Sequence, residues 1–325
     1  MTPEALAGVL VIGEALMDVL VLPDGSEVAR PGGSPANVAL GLGRLGRRPQ
    51  LATHIGGDSL GKETHARLAE SGVRLTEGSV QAGTTSSATA RLDRAGSATY
   101  EFDIRWAPAR STILPTLVGM PSHLHTGSIA TALAPGADLV LAAVREAHGS
   151  ATISYDPNLR PALLRGPAAE RPRIEQLVSL SDVVKASEED LAWLYPARAP
   201  ADVAREWATA GPALVVLTLG AEGAHAYWRG GDLVVPGRQV EVVDTVGAGD
   251  AFMAGLLSGL MMRGLLAEGH GPAAGKQARQ RLHRAIAAPD PTPELAPALD
   301  LAARVAALTC TREGADPPTL VELGV

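Results

Sequence analysis

Asp250 follows two glycines, Gly247 and Gly249, and leads into a stretch, 251–262, without a single charged side chain. Glycine admits the left-handed backbone that a tight bend needs, and such a bend leaves N–H groups pointing at whatever sits in front of it. A helix starting there adds the positive end of its dipole, so Gly247, Ala248 and Gly249 suit an anion such as a phosphoryl group. A carboxylate beside bound phosphate repels it if binding is its only duty. Asp250 is therefore read as a general base, taking the proton from a hydroxyl that attacks phosphorus, which is kinase chemistry. An ordinary Asp-capped helix accounts for Asp250, but not for both glycines and the uncharged continuation.

Such a helix start needs a rigid frame. The runs GVLVIG, LATHI, HLHTGS, ATISYD, VVKAS and ALVVLTLG predict strands buried on both faces, the mark of a parallel sheet. Helical periodicity at 35–45, 60–70, 137–147 and 202–210 alternates with them, which predicts a three-layer α/β/α domain. A further strand is expected in QVEVVD, ending at Asp244. Two pieces leave this rhythm: VLVLPDGSEVARPGG, with a Pro-Asp-Gly turn, and SSATARLDRAGSATYEFDI, turning at Gly96. Both read as antiparallel hairpins that pair into a small accessory sheet, a lid. The expected division is 1–20, 33–82 and 107–325 for the main domain and 21–32 and 83–106 for the lid. AAPDPTPELAP, at 287–297, reads as a Pro-rich surface connector between two C-terminal helices.

The 325 residues, 46% hydrophobic and 19% charged, are globular rather than disordered, and 3% aromatics leave Ala, Val and Leu to build the core. The net charge of −7, with no basic run, gives nucleic acid no counterion-release handle. The single Cys310 forms no internal bridge, and the N-terminus lacks a basic segment before its apolar run, so the cytoplasm is the expected compartment. The charge-free stretch 111–137 contains Pro115, Pro121 and Pro135 and fails as a membrane span. Of 28 basic residues only Lys62, Lys185 and Lys276 are lysines.

Three motifs compete with the kinase reading. Gly41, Gly43 and Gly46 fit G-x-G-x-x-G, but they continue a helical run capped by Ser34, with Pro35 at its first position, instead of following a strand. Gly57, Ser59 and Gly61 fit the G-x-S-x-G elbow of a serine hydrolase, and a helix capped by Ser59 explains the same residues. The segment 56–62 resembles a P-loop, except that Glu63 stands where Ser or Thr should hold magnesium.

DTVGAGDAFMAG resembles the C-terminal signature of the PfkB (ribokinase-like) carbohydrate kinases, and GGSPANVA at 32–39 with IGGDSLG resembles their N-terminal one. The resemblance spans nearly the whole chain. It implies a ribokinase-like fold, a three-layer α/β/α domain with a mostly parallel sheet plus a small β lid. It also implies transfer of the γ-phosphoryl group of ATP to a sugar hydroxyl, with Mg2+ bridging the phosphates. Asp250 then matches the base, and Gly247, Ala248 and Gly249 the anion hole. Asp18, the Gly32–Gly33 pair and Asn37 match sugar-binding positions. Thr218, Gly220 and Gly223 match the nucleotide-binding turn, completed by the helix around Ala303. Asp244 and the segment after Cys310 match a region that holds a monovalent cation in some members, so K+ is a candidate activator.

The family's N-x-x-E motif reads Ser187-Glu188-Glu189-Asp190 here, leaving open whether Glu189 or Asp190 organises magnesium, and an N-capped helix rich in first-turn acids explains the same residues. Glu14 in IGEALMD, YDPNLRPALL and KASEEDL resemble the branch of fructokinases and 2-keto-3-deoxygluconate kinases. Asn158 and Arg160 are expected to face the active centre, where a guanidinium serves phosphate or a substrate carboxylate equally and does not separate the two sugars. Arg105, at the lid end with Asp103 and Trp106, is a candidate to close over the sugar. A ketohexose, with fructose first, is the expected acceptor; a 2-keto-3-deoxygluconate kinase, another sugar or nucleoside kinase, and a catalytically silent sugar-binding regulator are the alternatives. Sugar and ATP are the expected partners, and a homodimer through the lid is left open.

Overall fold

Short runs of Val, Leu and Ile, buried on alternate sides, assemble into the central sheet of the computed structural model, which describes residues 8–93, 98–113, 121–269 and 271–324. The sheet has nine strands in the order β15-β14-β13-β12-β11-β10-β1-β4-β6. β1 (Val9–Ile12) lies at its heart, between β4 (Gln50–Ala52) and β10 (His123–Gly127). β11 (Thr152–Asp156), β12 (Val183–Ser187) and β13 (Leu214–Thr218) extend it in parallel on one side and β6 (Arg74–Leu75) on the other. From β1 the chain first builds toward β6 and then returns to build outward from β10. The strand order therefore reverses between β1 and β10, the crevice where open α/β sheets put their ligands.

Each strand feeds two cores. Val9, Val11, Val183, Leu214 and Val216 pack under α1 (Ser34–Arg44), α7 (Ala248–Met262), α8 (Gly271–Ile286) and α9 (Thr292–Cys310). Their sequence neighbours Leu10, Ile12, Val184, Val215 and Leu217 pack on the other side against α3 (Gly136–Ala147), α4 (Pro167–Leu180), α5 (Glu188–Leu194) and α6 (Pro200–Trp207). α2 (Ser59–Glu70) flanks α1. Helix α7, without charge beyond Asp250, is buried from Asp250 to Met261 and lies so close to α9 that a Cβ on Gly259 would stand 2.6 Å from Ala298 Cα. Gly259→Ala gains up to about 1 kcal/mol of helix propensity against about 1–3 kcal/mol of overpacking. With that gain in full, a net loss of up to about 2 kcal/mol is expected in urea unfolding, and a gain in stability would refute the close packing.

The accessory sheet is present, in the order β3-β2-β8-β9. β2 (Leu16–Val21) pairs antiparallel with β3 (Glu27–Gly32), and β8 (Ser87–Leu92) with β9 (Ala98–Asp103), while β2 and β8 join the two hairpins in parallel. The expected turn at Gly96 lies outside the described residues. β5 (Ile55–Gly56) and β7 (Val80–Gln81) form a separate short pair. Among the described residues no helix is long and apolar enough to cross a membrane.

Four expectations need correction. QVEVVD is not a strand: β14 (Gly223–Trp228) and β15 (Gly231–Pro236) close the sheet as an antiparallel hairpin, and the chain beyond the edge finds no partner strand. Val242 and Val243 are left more than half exposed, so their pattern there is not that of a buried strand. The connector at 287–297 is shorter than expected, because α9 begins at Thr292 and includes Pro293 and Pro297. α2 is capped by Asp58, whose Oδ1 accepts from Gly61 N at 2.9 Å, and not by Ser59. α1 is entered through Gly33, at φ 97°, which frees the Ser34 hydroxyl for another partner.

Candidate active site

The C-terminal ends of the parallel strands carry Glu14 after β1, Ser128 after β10, Asn158 after β11 and Asp190 after β12. Facing them is the start of α7. Gly247 caps that helix at φ 75°, and Ala248 N donates to Thr245 O at 3.2 Å, closing the bend. Among the described residues the N–H groups of Gly249 and Asp250 find no acceptor in the protein, so they remain for an anion.

Asp250 is 5% exposed and held by three donors. Ser34 Oγ donates to Oδ1 at 2.7 Å, Asn37 Nδ2 to Oδ2 at 2.9 Å and Asn158 Nδ2 to Oδ1 at 3.2 Å. A carboxylate offers about four lone-pair sites, so three are filled and one on Oδ2 is left for an incoming hydroxyl. Burial lifts its carboxyl above the ordinary range, while Asn37, Ser34, Lys185 and Arg160 pull the other way. Asn37, expected on the sugar, here orients Asp250, and Ser34, expected as the cap of α1, joins it.

Of the residues expected at the sugar, Asp18 and Gly32 lie on β2 and β3 of the accessory sheet, and Asn158 and Arg160 follow β11 of the main one. Asp18, on β2, keeps an exposed face, but the protein packed around its carboxyl strips enough water to lift it to about 6, with Arg160 lowering and Asp250 raising it. A Cβ on Gly33, at φ 97°, would stand 2.7 Å from Glu14 O, so close backbone approach requires that glycine, whereas one on Gly32 would meet only the movable end of the Asp18 side chain, 2.0 Å from Oδ2. Arg160 NH1 donates to Asn158 Oδ1 at 2.6 Å. Asn158 itself has a left-handed backbone, φ 36°, which a hydrogen-bonded functional position tolerates. Arg105 stands apart: its side chain is exposed and lies 3.8 Å from Asp103 on the lid edge.

Glu14 is the buried acid that its sequence position did not reveal. It is 4% exposed, accepts from Ala130 N at 3.1 Å, and burial raises its carboxyl to about 7. The group is neutral in both states below its ordinary value of 4.5. As pH rises toward 7 the unfolded chain ionises first, so this contribution to stability is lost, by on the order of 3 kcal/mol. Glu14→Gln stays neutral and is expected to exceed the wild type in urea-unfolding stability at pH 8 while matching it at pH 4. A wild type more stable at pH 8 than the variant would overturn this sign.

A cavity of about 640 Å³ opens from the α7 start. Ala248 and Gly249 form its floor, and Ser187, Glu189 and Asp190 one wall. Thr218, Gly220 and Gly223 form the next, with Ala303 of α9 opposite. Lys185 also reaches it, from a position that reads in sequence as plain strand interior. Asp190 is held by three donors: Oδ1 accepts from Leu159 N at 2.7 Å and Oδ2 from Ser187 N and Oγ, in a capping box. Glu189 is exposed to the cavity, and Asp156 Oδ1 is buried without a hydrogen-bond partner. Among the described residues no three His, Cys, Asp or Glu side chains converge as a metal cage. These donors fit a hard cation bound mainly by substrate phosphates and water, the habit of Mg2+. Asp244 braces two loops, accepting from Val246 N at 3.0 Å and Gly314 N at 2.8 Å.

A profile of the family described as pfkB family carbohydrate kinase matches residues 7–321. The chain belongs to that family. This kinase is 34% identical to a fructokinase of Klebsiella pneumoniae over 316 residues, 94% of each chain. Its fold is similar to that of a Xylella fastidiosa fructokinase with bound ATP (TM-score 0.79, 28% identity, 97% of each chain). A Vibrio cholerae fructokinase double mutant, solved with fructose, ADP and potassium ion, is likewise similar (TM-score 0.74, 27% identity, 99% of each chain). The kinase is thus an ATP-dependent sugar kinase with the ribokinase-like fold expected from its two signatures.

Proposed function

We propose that this kinase phosphorylates a ketohexose, with fructose as acceptor. The carrying observation is the one open lone pair of Asp250 beside the two free N–H groups at the α7 start. In this reading a sugar hydroxyl donates to Asp250 Oδ2 while Asp18 and Asn37 hold neighbouring hydroxyls. Its oxygen attacks the γ-phosphorus in line, the proton passes to Asp250, and the free N–H groups of Gly249 and Asp250, aimed by the bend at Gly247 and Ala248, stabilise charge on the migrating group. The bond to the β-phosphate breaks and ADP leaves. Thr218, Gly220, Gly223 and Ala303 line the nucleotide's place, and the lid, with Arg105 at its edge, closes to exclude water.

Magnesium bound with the nucleotide would neutralise phosphate charge, with Glu189 and Asp190, which line the cavity, as the carboxylates to hold its waters. Asp244 and the loop beyond Cys310 are the proposed place for a potassium ion, supported by the hydrogen bonds that bring these loops together. The lid sheet is the proposed contact for a second copy, with sedimentation as its measure, and the cytoplasm is the proposed compartment. A coupled ADP-release assay against fructose, ribose, 2-keto-3-deoxygluconate and nucleosides tests the substrate. Fructose is expected to give the highest kcat/KM; a higher value for the sugar acid would reassign it.

A further inference from the structure

Lys185 is 3% exposed, and its ammonium lies 3.0 Å from Asp156 Oδ2, a carboxylate with no exposure at all. The pair sits under the start of α7: a Cβ on Gly249 would stand 3.1 Å from Lys185 Nζ. Lys185 also reaches the nucleotide cavity. Burial opposes its charge, but Asp156, Asp190 and Asp250 outweigh that and raise its pKa, so the ammonium persists. Behind it, His125 is fully buried, with Nδ1 2.9 Å from Ser154 Oγ, and burial holds it neutral at neutral pH. Lys185 is thus the cation lying under the free N–H groups of the bend.

A buried ion pair is a weak device for stability, because desolvation cancels most of its attraction. Its location beside a phosphate hole gives it another use. We propose that Lys185 is a further catalytic residue, its ammonium meeting the phosphate oxygens between the leaving and migrating groups, and that Asp156 is the positioning residue that aims it. This rests on the kinase reading of the site but not on which sugar is accepted. As the bond between the γ-phosphorus and the bridging oxygen breaks, the electron pair stays on ADP, and the ammonium faces that growing charge. Lys185 keeps its proton throughout, and the acceptor's proton goes to Asp250.

The chain's three lysines make the test direct. An acyl-phosphate derivative of ATP passes its acyl group to an amine near the terminal phosphate. The ammonium first yields one proton to solvent, the nitrogen then attacks the acyl carbon, the carbon–oxygen bond to phosphate breaks, ATP leaves and the nitrogen loses its second proton as the amide forms. With wild-type protein, mass spectrometry is expected to find Lys185 labelled and protected by excess ATP; labelling confined to Lys62 and Lys276 would overturn the proposal. Lys185→Met is expected to lower kcat by about 100-fold or more, the scale of one lost transition-state contact, with sugar KM little changed. Affinity for ATP should fall while that for adenosine does not. The double variant Asp156→Asn with Lys185→Met separates this from a structural pair: it should stay as slow as the single variant, and recovery to near wild-type turnover would sink the idea. If Lys185→Met does not fold, the labelling result decides. Absence of fructose turnover with Lys185 still labelled would fault the substrate assignment and leave this inference standing.

Discussion

Asp250→Asn is expected to lower kcat by about 10³- to 10⁴-fold, at the upper end of what a positioned base supplies. The amide keeps the shape of the carboxylate, and its oxygen still accepts from Ser34 and Asn158, which now contact Oδ1. Asn37 can turn its own amide to accept where it now donates. The fold and the affinity for sugar should therefore survive, and only proton removal is lost. In the wild type, burial raises the carboxyl, so the base is protonated and idle to a higher pH than an ordinary aspartate. Activity should fall as pH falls through that raised value, and Asp18, lifted to about 6, steepens the same limb. Steady-state kinetics with equilibrium sugar binding on the variant check this. Turnover within tenfold of wild type would remove Asp250 from its role.

Gly247→Ala is expected to cost about 10²- to 10³-fold in kcat, the range for loss of a backbone donor to a transition-state oxyanion. A methyl group there meets two obstacles. The backbone is left-handed, at φ 75°, and the new Cβ would stand 2.5 Å from Ala315 Cβ and 2.9 Å from its Cα. Ala315 cannot step aside easily, because its neighbour Gly314 is tied to Asp244 at 2.8 Å. The bend must move, and the N–H groups of Gly249 and Asp250 move with it. Sugar affinity, set on the other side of Asp250, should change little. A variant with normal kcat would mean that the bend does not hold the migrating group.

Much of this was legible in the residues themselves. GVLVIG, HLHTGS, ATISYD, VVKAS and ALVVLTLG form strands because a parallel sheet covered on both faces needs continuous apolar runs. The glycine bend before Asp250 was legible because only that backbone suits it. What escaped were features that depend on distant partners. QVEVVD looks like a strand, but a strand exists only where another lies beside it. Lys185 in VVKAS carries no local mark of function; its meaning comes from Asp156 on the neighbouring strand and Gly249 overhead. Glu14 likewise becomes a buried acid only when the turn after β10 closes over it. Asp190 showed its carboxylate in the sequence, but not that the Leu159 amide would occupy it.

The bond between Ser34 and Asp250 spans 216 residues of chain. During synthesis, the ribosome finishes α1 long before α7 emerges, so a nascent or prematurely terminated chain has the sugar-facing half of the pocket and no base. Phosphate transfer is switched on by the last quarter of the molecule, and fragments that end before it cannot consume ATP by this route.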